Sequence, residues 1–153
     1  MATSAENVRV LTQFQLPSEP GNERQVIARV EQAVSALALP PARLQKLKTA
    51  VAEATMNAIE HGNQNVAERP VSVCVLHSPG RLRVQVADMG SEPDESPPAE
   101  LPDIEAKLAG LQKPRGWGLF LIKSMVDEAR VTNDARGHTL ELVLYLEGAS
   151  DEE

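Results

Sequence analysis

The sequence predicts a single α/β domain in which two helices follow a first strand, a strand hairpin comes next, and a third helix precedes two final strands. Three observations predict it. Apolar residues recur at helical spacing in three segments, short β-type runs occupy five others, and Pro or Gly clusters separate the segments. A chain of 153 residues has the ordinary size of one domain and is long enough to bury a core.

The predicted elements alternate along nearly the whole chain. They are strands over residues 8–16, 70–77, 81–88, 129–133 and 139–146, and helices over 22–39, about 42–62 and 119–126. The central helix is expected to end at Gly62 and Asn63, because these residues most easily take the left-handed C-terminal conformation.

One long segment has no periodicity. Residues 91–115 hold five prolines and several carboxylates, with room for one short helix near Ile104 to Leu108. Such a segment inside a compact domain is typical of a functional lid or a disordered insert. The acidic tail, residues 147–153, is expected to be frayed.

Composition disfavours several classes of protein. The net charge is −7 and no run rich in Lys or Arg stands out, so direct nucleic-acid binding has little electrostatic support. The single Cys excludes an intrachain disulfide and fits a reducing compartment. No apolar run reaches the roughly 20 residues of a membrane span, and the first residues lack a secretory signal pattern. A soluble, cytoplasmic domain with no membrane contact is expected.

The central helix carries a polar stripe beside its apolar face. Glu53, Asn57 and His61 lie four residues apart, so each side chain is rotated by only about 40° from the previous one. Asn57 stands among good helix formers, where an Asn costs stability without a local return. A local rule broken in this way points to a site.

Each residue of the stripe has a structural and a functional interpretation. Asn57 is either a core amide with satisfied hydrogen bonds or an oxygen ligand of Mg²⁺. Glu53 is either a solvated charge on the helix surface or a group that orients or deprotonates a hydroxyl beside such a metal. His61 is mainly a helix-end residue, with nucleotide binding as the alternative.

Asp88 ends the second strand of the hairpin. Strand side chains alternate, so Asp88 shares one face with Leu82, Val84 and Val86 and points towards the interior edge of the sheet. Burying an unpaired carboxylate is costly, so a donor is expected there. That donor is either the backbone of a turn or the exocyclic amine of adenine.

A Gly-x-Gly sequence, Gly116-Trp-Gly118, stands at the start of the third helix. It is either a tight turn or a place where backbone N–H groups and the helix dipole meet an anion. Arg115 beside it is either a solvated surface residue or a phosphate partner.

Together these motifs resemble a known family. Three of them follow the order and spacing of the nucleotide-binding boxes of the Bergerat-fold ATPases, the group of gyrase, heat-shock chaperones, sensor histidine kinases and MutL. They are Glu53-x-x-x-Asn57-Ala-x-x-His61-Gly62, Asp88-x-Gly90 and Arg115-Gly116-x-Gly118-Leu119-x-Leu121-Ile122. The compact length is similar to that of the anti-sigma-factor serine kinases of the RsbW and SpoIIAB type.

The resemblance implies a fold and two cofactors. The family fold is an α/β sandwich, an α+β arrangement of two layers, with three helices on one face of a mixed, mainly antiparallel sheet. Residues 1–153 would then form one ATP-binding kinase domain that uses ATP and Mg²⁺, with a mobile lid at about 91–115.

The resemblance also implies a role for each site residue. Asn57 would hold Mg²⁺ against the triphosphate, and Glu53 would act as the base towards a Ser hydroxyl on a partner protein. Asp88 would receive the adenine amine, and Gly90 would allow close approach. The remaining nucleotide-binding residues would be His61, the backbone amides of Gly116, Gly118 and Leu119, and Arg115 near the terminal phosphate.

Two positions depart from the family pattern. The residue after the glycine of the last strand, commonly a small hydroxyl residue that helps to bind adenine, is His138. Thr139 follows it but is out of phase with Leu140, so the resemblance is not extended to this contact. The second glycine that often follows Gly90 is replaced by Glu92, which the anti-sigma kinases tolerate.

Several functions are weighed. The first is a serine kinase that phosphorylates an anti-anti-sigma partner with a STAS domain and sequesters a sigma factor as a homodimer; Glu53 with Asn57 favours it. The alternative is an ATP-binding switch that binds partners without phosphotransfer. A sensor histidine kinase is not expected, because no phosphoacceptor helix pair precedes residue 8. The three ordered boxes disfavour a purely structural domain.

Overall fold

A computed structural model describes residues 8–90, 115–134 and 137–146 of the chain. Five strands and three α-helices make up these residues. The strands are β1 Arg9–Leu16, β2 Val71–Ser78, β3 Arg81–Asp88, β4 Glu128–Asp134 and β5 Gly137–Tyr145, and the helices are α1 Glu23–Ala33, α2 Pro41–Asn57 and α3 Arg115–Met125. The predicted lid over about 91–115 lies outside the described residues except for Arg115, which begins α3. The short helix predicted within the lid and the tail over 147–153 also lie outside the described residues.

The strands form one sheet in the order β1-β2-β3-β5-β4. Every pair of neighbouring strands is antiparallel. The predicted α/β sandwich of two layers is therefore confirmed, and the described sheet is wholly antiparallel where the resemblance implied a mixed one. Antiparallel strands can be joined by a tight turn, as β2 and β3 are at Pro79 and Gly80.

The core lies between the helices and one face of the sheet. In register, Val84 of β3 lies opposite Val75 of β2 and Leu142 of β5, and all three side chains are fully buried. The helices supply the other side of the core through Val26, Val30, Leu47, Val51 and Ile122. At the end of β3, this face of the sheet finishes with Asp88, which lies opposite His138 of β5.

The first helix is shorter than its periodicity predicts. It ends at Ala33 and is followed by a 3₁₀ turn, Ser35–Leu37, in which Leu37 N donates to Val34 O at 2.9 Å. Ala38 then has a left-handed backbone, φ 54°, which turns the chain towards α2. Within the described residues, no helix is both long and apolar enough to cross a membrane.

Candidate functional site

The central helix ends in a wider turn than predicted. After α2, residues Ala58–Gly62 form a π-helical turn, closed by a 2.8 Å hydrogen bond from Asn63 N to Ala58 O. Such turns are frequent at functional sites. The prediction that Gly62 and Asn63 are left-handed is wrong, because the left-handed residues here are Gln64 at φ 54° and Asn65 at φ 60°.

Gly62 is a glycine for a steric reason instead. A Cβ atom built on it would lie 2.1 Å from Oδ2 of Asp88, far inside van der Waals contact. The π turn therefore approaches the end of β3 so closely that only a residue without a side chain fits. This contact joins the first motif of the sequence to the second.

The carboxylate of Asp88 is held through one of its two oxygens. Oδ1 accepts hydrogen bonds from Gly90 N at 2.8 Å and from His138 Nδ1 at 2.8 Å, with His138 N at 3.4 Å. Among the residues that the structure describes, none donates to Oδ2. The inward direction derived from strand alternation agrees with the 10% exposure of this side chain. A backbone donor and an imidazole satisfy Oδ1, and Oδ2 remains an acceptor for a ligand.

Asn63 is a residue that sequence reasoning missed. It is fully buried, and its Nδ2 donates to Ser18 Oγ at 2.9 Å, Arg69 O at 2.8 Å and Pro70 O at 3.2 Å. Its Oδ1 accepts from Met89 N at 2.7 Å. Asn63 thus ties the π turn to the backbone between Asp88 and Gly90. Its position beside Gly62 was the only signal in the sequence, and that signal indicated a helix cap.

The three residues of the predicted polar stripe, two on α2 and one in the π turn, have different surroundings. Asn57 is half-buried, and its side chain makes no hydrogen bond with another described residue, which does not fit the interpretation as a satisfied core amide. Glu53 is only 8% exposed, so it is not a solvated charge on the helix surface. His61 is half-buried within the π turn.

The third motif forms the first turn of α3. The helix begins at Arg115, so Gly116 and Gly118 lie where backbone N–H groups have no partner within the helix, and Leu119 is half-buried behind them. α3 packs against α2, the helix that carries Glu53 and Asn57. The side chain of Arg115 lies outside what the structure describes.

The arrangement can bind an anionic ligand that carries an amine. Asp88 Oδ2 is an acceptor, and the start of α3 offers backbone donors and a favourable dipole. The residues present therefore fit a nucleotide, and the half-buried amide of Asn57 fits a hard cation such as Mg²⁺.

Sequence comparison relates the chain to a family of ATPases and to protein kinases. Residues 16–144 match the family described as "Histidine kinase-like ATPase domain". The chain is 28% identical to the "Serine-protein kinase RsbW" of Bacillus velezensis over 97% of this chain and 91% of that one. It is 29% identical to the "Anti-sigma F factor" of Bacillus cereus, over 84% of this chain and 89% of the other.

A solved structure has the same fold. It contains the RsbU and RsbW domains of Rv1364c from Mycobacterium tuberculosis, with a TM-score of 0.62 and 22% identity. The match covers 88% of this chain and 32% of that longer chain. Family ATPases use ATP, and the family match spans α2, β3 and α3, the elements that carry the three motifs. The chain belongs to the histidine kinase-like ATPase domain family.

Proposed function

We propose that the chain is an ATP-dependent protein-serine kinase that acts as an anti-sigma factor. Its substrate would be a serine of an anti-anti-sigma protein with a STAS domain, and it would sequester a sigma factor as a homodimer in the cytoplasm. The similarity over almost the full length to proteins named serine-protein kinase and anti-sigma factor supports this class.

The observation that carries the proposal is that only one carboxylate oxygen of Asp88, Oδ1, accepts hydrogen bonds from the described residues. A carboxylate whose Oδ1 is fully engaged and whose Oδ2 has no donor among the described residues offers one directed acceptor. The exocyclic amine of adenine is a donor of matching chemistry. Gly62 and Gly90 have no side chains, so the π turn and the chain after β3 can pack closely around this carboxylate and hold it in place.

The other residues would act on the triphosphate. Asn57 would hold Mg²⁺, which neutralises phosphate charge, while His61 and Arg115 would contact the nucleotide. The first turn of α3, with Gly116, Gly118 and Leu119, would donate backbone hydrogen bonds to phosphate oxygens. Residues 91–115 would close over the nucleotide as a mobile lid, within a single domain that spans 1–153.

Glu53 would be the base of the transfer. Its carboxylate would take the proton of the partner's serine hydroxyl as that oxygen bonds to the terminal phosphorus and ADP leaves. Phosphoryl transfer depends mostly on positioning and on charge neutralisation, so this small set of groups suffices. Its 8% exposure supports a role at the floor of a site rather than on the surface.

Calorimetry of Mg²⁺-ATP binding tests the nucleotide site. We expect Asp88→Asn to weaken binding by roughly a hundredfold or more, because an amide N–H would then face the adenine amine. Asn57→Ala should weaken binding only when Mg²⁺ is present. Gln45→Ala, an exposed polar residue on the same helix, is the matched control and should bind as the wild type does. Wild-type protein that binds no ATP would overturn the proposal.

A transfer assay then separates the kinase from the switch. With a purified anti-anti-sigma protein and labelled ATP, Glu53→Gln should bind ATP normally yet transfer phosphate at less than about 1% of the wild-type rate, a typical loss for a general base. Glu68→Gln, an exposed loop residue, should transfer normally. ATP binding without any transfer by the wild type would instead support the ATP-binding switch.

A further inference from the structure

The strand register puts His138 directly opposite Asp88. β3 and β5 pair so that these residues share the sheet face on which Val86 lies opposite Leu140. His138 keeps 14% of its side-chain surface exposed and Asp88 keeps 10%, so the pair is largely removed from water. The pair lies where the purine is proposed to bind.

His138 supplies two of the three donors that surround Asp88 Oδ1. Its Nδ1 lies 2.8 Å and its backbone N 3.4 Å from that oxygen, and Gly90 N completes the set at 2.8 Å. An ionised carboxylate only accepts hydrogen bonds, so Nδ1 must carry the proton. The contact therefore selects one tautomer of the neutral ring and prevents the carboxylate from turning.

Two neighbouring glycines accommodate this pair. A Cβ on Gly90 would lie 2.7 Å from Cε1 of His138, so the imidazole ring fills the space that a side chain would take. A Cβ on Gly137 would lie 2.0 Å from the backbone oxygen of Asp88, so the glycine lets β5 come close enough for the pair to form. The local sequence is thus adapted to an imidazole at position 138.

We propose that His138 is a positioning residue that makes the site select 6-aminopurine nucleotides over 6-oxopurine nucleotides. This inference rests on the proposed function, because Asp88 meets a purine only if the chain binds a nucleotide. With Oδ1 engaged, only Oδ2 is offered, in one direction, and it matches an amine at position 6. A carboxylate free to turn would also accept the N1–H of a 6-oxopurine, and His138 removes that freedom.

The test compares the affinities of the full chain for ADP and for inosine diphosphate, which differ in the substituent at position 6. In His138→Ala we expect the ratio of the two affinities to fall roughly tenfold, the effect of one charge-assisted hydrogen bond. His138→Asn should retain most of the ratio, because its amide N–H replaces the N–H of Nδ1. His77→Ala, the same change on β2 at the other end of the sheet, is the control and should leave the ratio unchanged.

The possible outcomes separate the role of His138 from nucleotide binding itself. An unchanged ratio in His138→Ala, or an equal loss in His138→Asn, would overturn the role of His138 while nucleotide binding itself still depends on Asp88. Wild type that binds neither nucleotide would overturn the proposed function instead. A ¹⁵N spectrum of the ligand-free protein adds an independent readout, since Nδ1 of His138 should carry a proton, and a ring protonated at Nε2 alone would contradict the contact.

Discussion

The two ends of the sheet both hold a carboxylate against a strand end, with different outcomes. At the Asp88 end, formed by the π turn, the end of β3 and the start of β5, Asp88 uses only Oδ1 within the protein. At the Tyr145 end, formed by the end of β5 and the start of β4, Asp127 Oδ2 accepts from Arg43 Nη2 at 2.9 Å and from Tyr145 N at 2.7 Å. Arg43 Nη2 also donates to Tyr145 O at 2.9 Å.

The Tyr145 end also carries a cleft, but the polar groups beside it already have partners within the protein. A cleft of about 480 Å³ lies at the Tyr145 end, lined mostly by the apolar segment 36–40 together with Arg43, His77 and Tyr145. Arg43 and Asp127 beside this cleft form an ion pair with each other, so their charges are already satisfied within the protein. The Asp88 end leaves an acceptor and the Asn57 amide without partners among the described residues, which is the condition for binding a ligand.

The largest effect is expected from filling the space at the Asp88 end. Gly62→Ala puts a methyl group 2.1 Å from Asp88 Oδ2, so either the carboxylate or the π turn must move. We expect ADP affinity to fall more than about a hundredfold, with a loss of stability of about 1–3 kcal/mol from overpacking. Calorimetry and urea unfolding measure the two effects.

Gly21→Ala is the matched control for this change. Nothing lies within 4 Å of a Cβ at Gly21, although its φ of 97° strains any other residue. It should therefore lose about 1 kcal/mol of stability and keep the wild-type affinity. If Gly62→Ala bound ADP as Gly21→Ala does, the close packing of the π turn on Asp88 would be wrong.

Two asparagines near the site sharpen the contrast between a structural and a ligand-binding amide. Asn63→Ala removes four hydrogen bonds and leaves Met89 N without its partner, so we expect a loss of about 2–4 kcal/mol in urea unfolding. Asn57→Ala removes no hydrogen bond to a described residue and adds a better helix former. It should gain about 0.5 kcal/mol and lose Mg²⁺-dependent ATP affinity. Equal stability losses in the two variants would contradict these assignments.

The smallest effect is expected at the Tyr145 end, as a pH dependence. Hydrogen bonds from the Tyr145 phenol and then from Arg130 lower the pKa of Glu128 below its ordinary value. Stability that comes from a lowered carboxyl pKa is present at neutral pH and is lost as the pH falls through and below about 4.3. Tyr145→Phe should therefore be slightly less stable than wild type at pH 7, with the difference shrinking below pH 4.

Urea unfolding at pH 7 and pH 3.5 measures this difference. The same hydrogen bond raises the pKa of Tyr145, so the phenol stays protonated and donates throughout this range. ADP affinity at pH 7 should equal that of the wild type, because Tyr145 lies at the other end of β5 from His138. A stability difference that grows as the pH falls would reverse the sign of the argument.

Much of the fold followed from periodicity. The predicted bounds of β3, 81–88, agree with the structure, and those of β2 differ by one residue, because side chains that alternate between a core and an open face leave a strong pattern. The same alternation predicted the inward direction of Asp88. Applied to β5, it also places His138 on the face of Leu140 and Leu142, whereas the pairing of His138 with Asp88 depends on the register between β3 and β5.

The sequence by itself determined the order of the elements, the core face of each, and the three motifs that identify the family, since these depend on local spacing. The tertiary structure alone decided why Gly62 has no side chain, what Asn63 holds, and which oxygen of Asp88 remains available. These features include contacts between residues 26 positions apart, as for Asn63 and Met89, and 50 positions apart, as for Asp88 and His138. Such distances arise only when the π turn, β3 and β5 meet, and no local pattern encodes them.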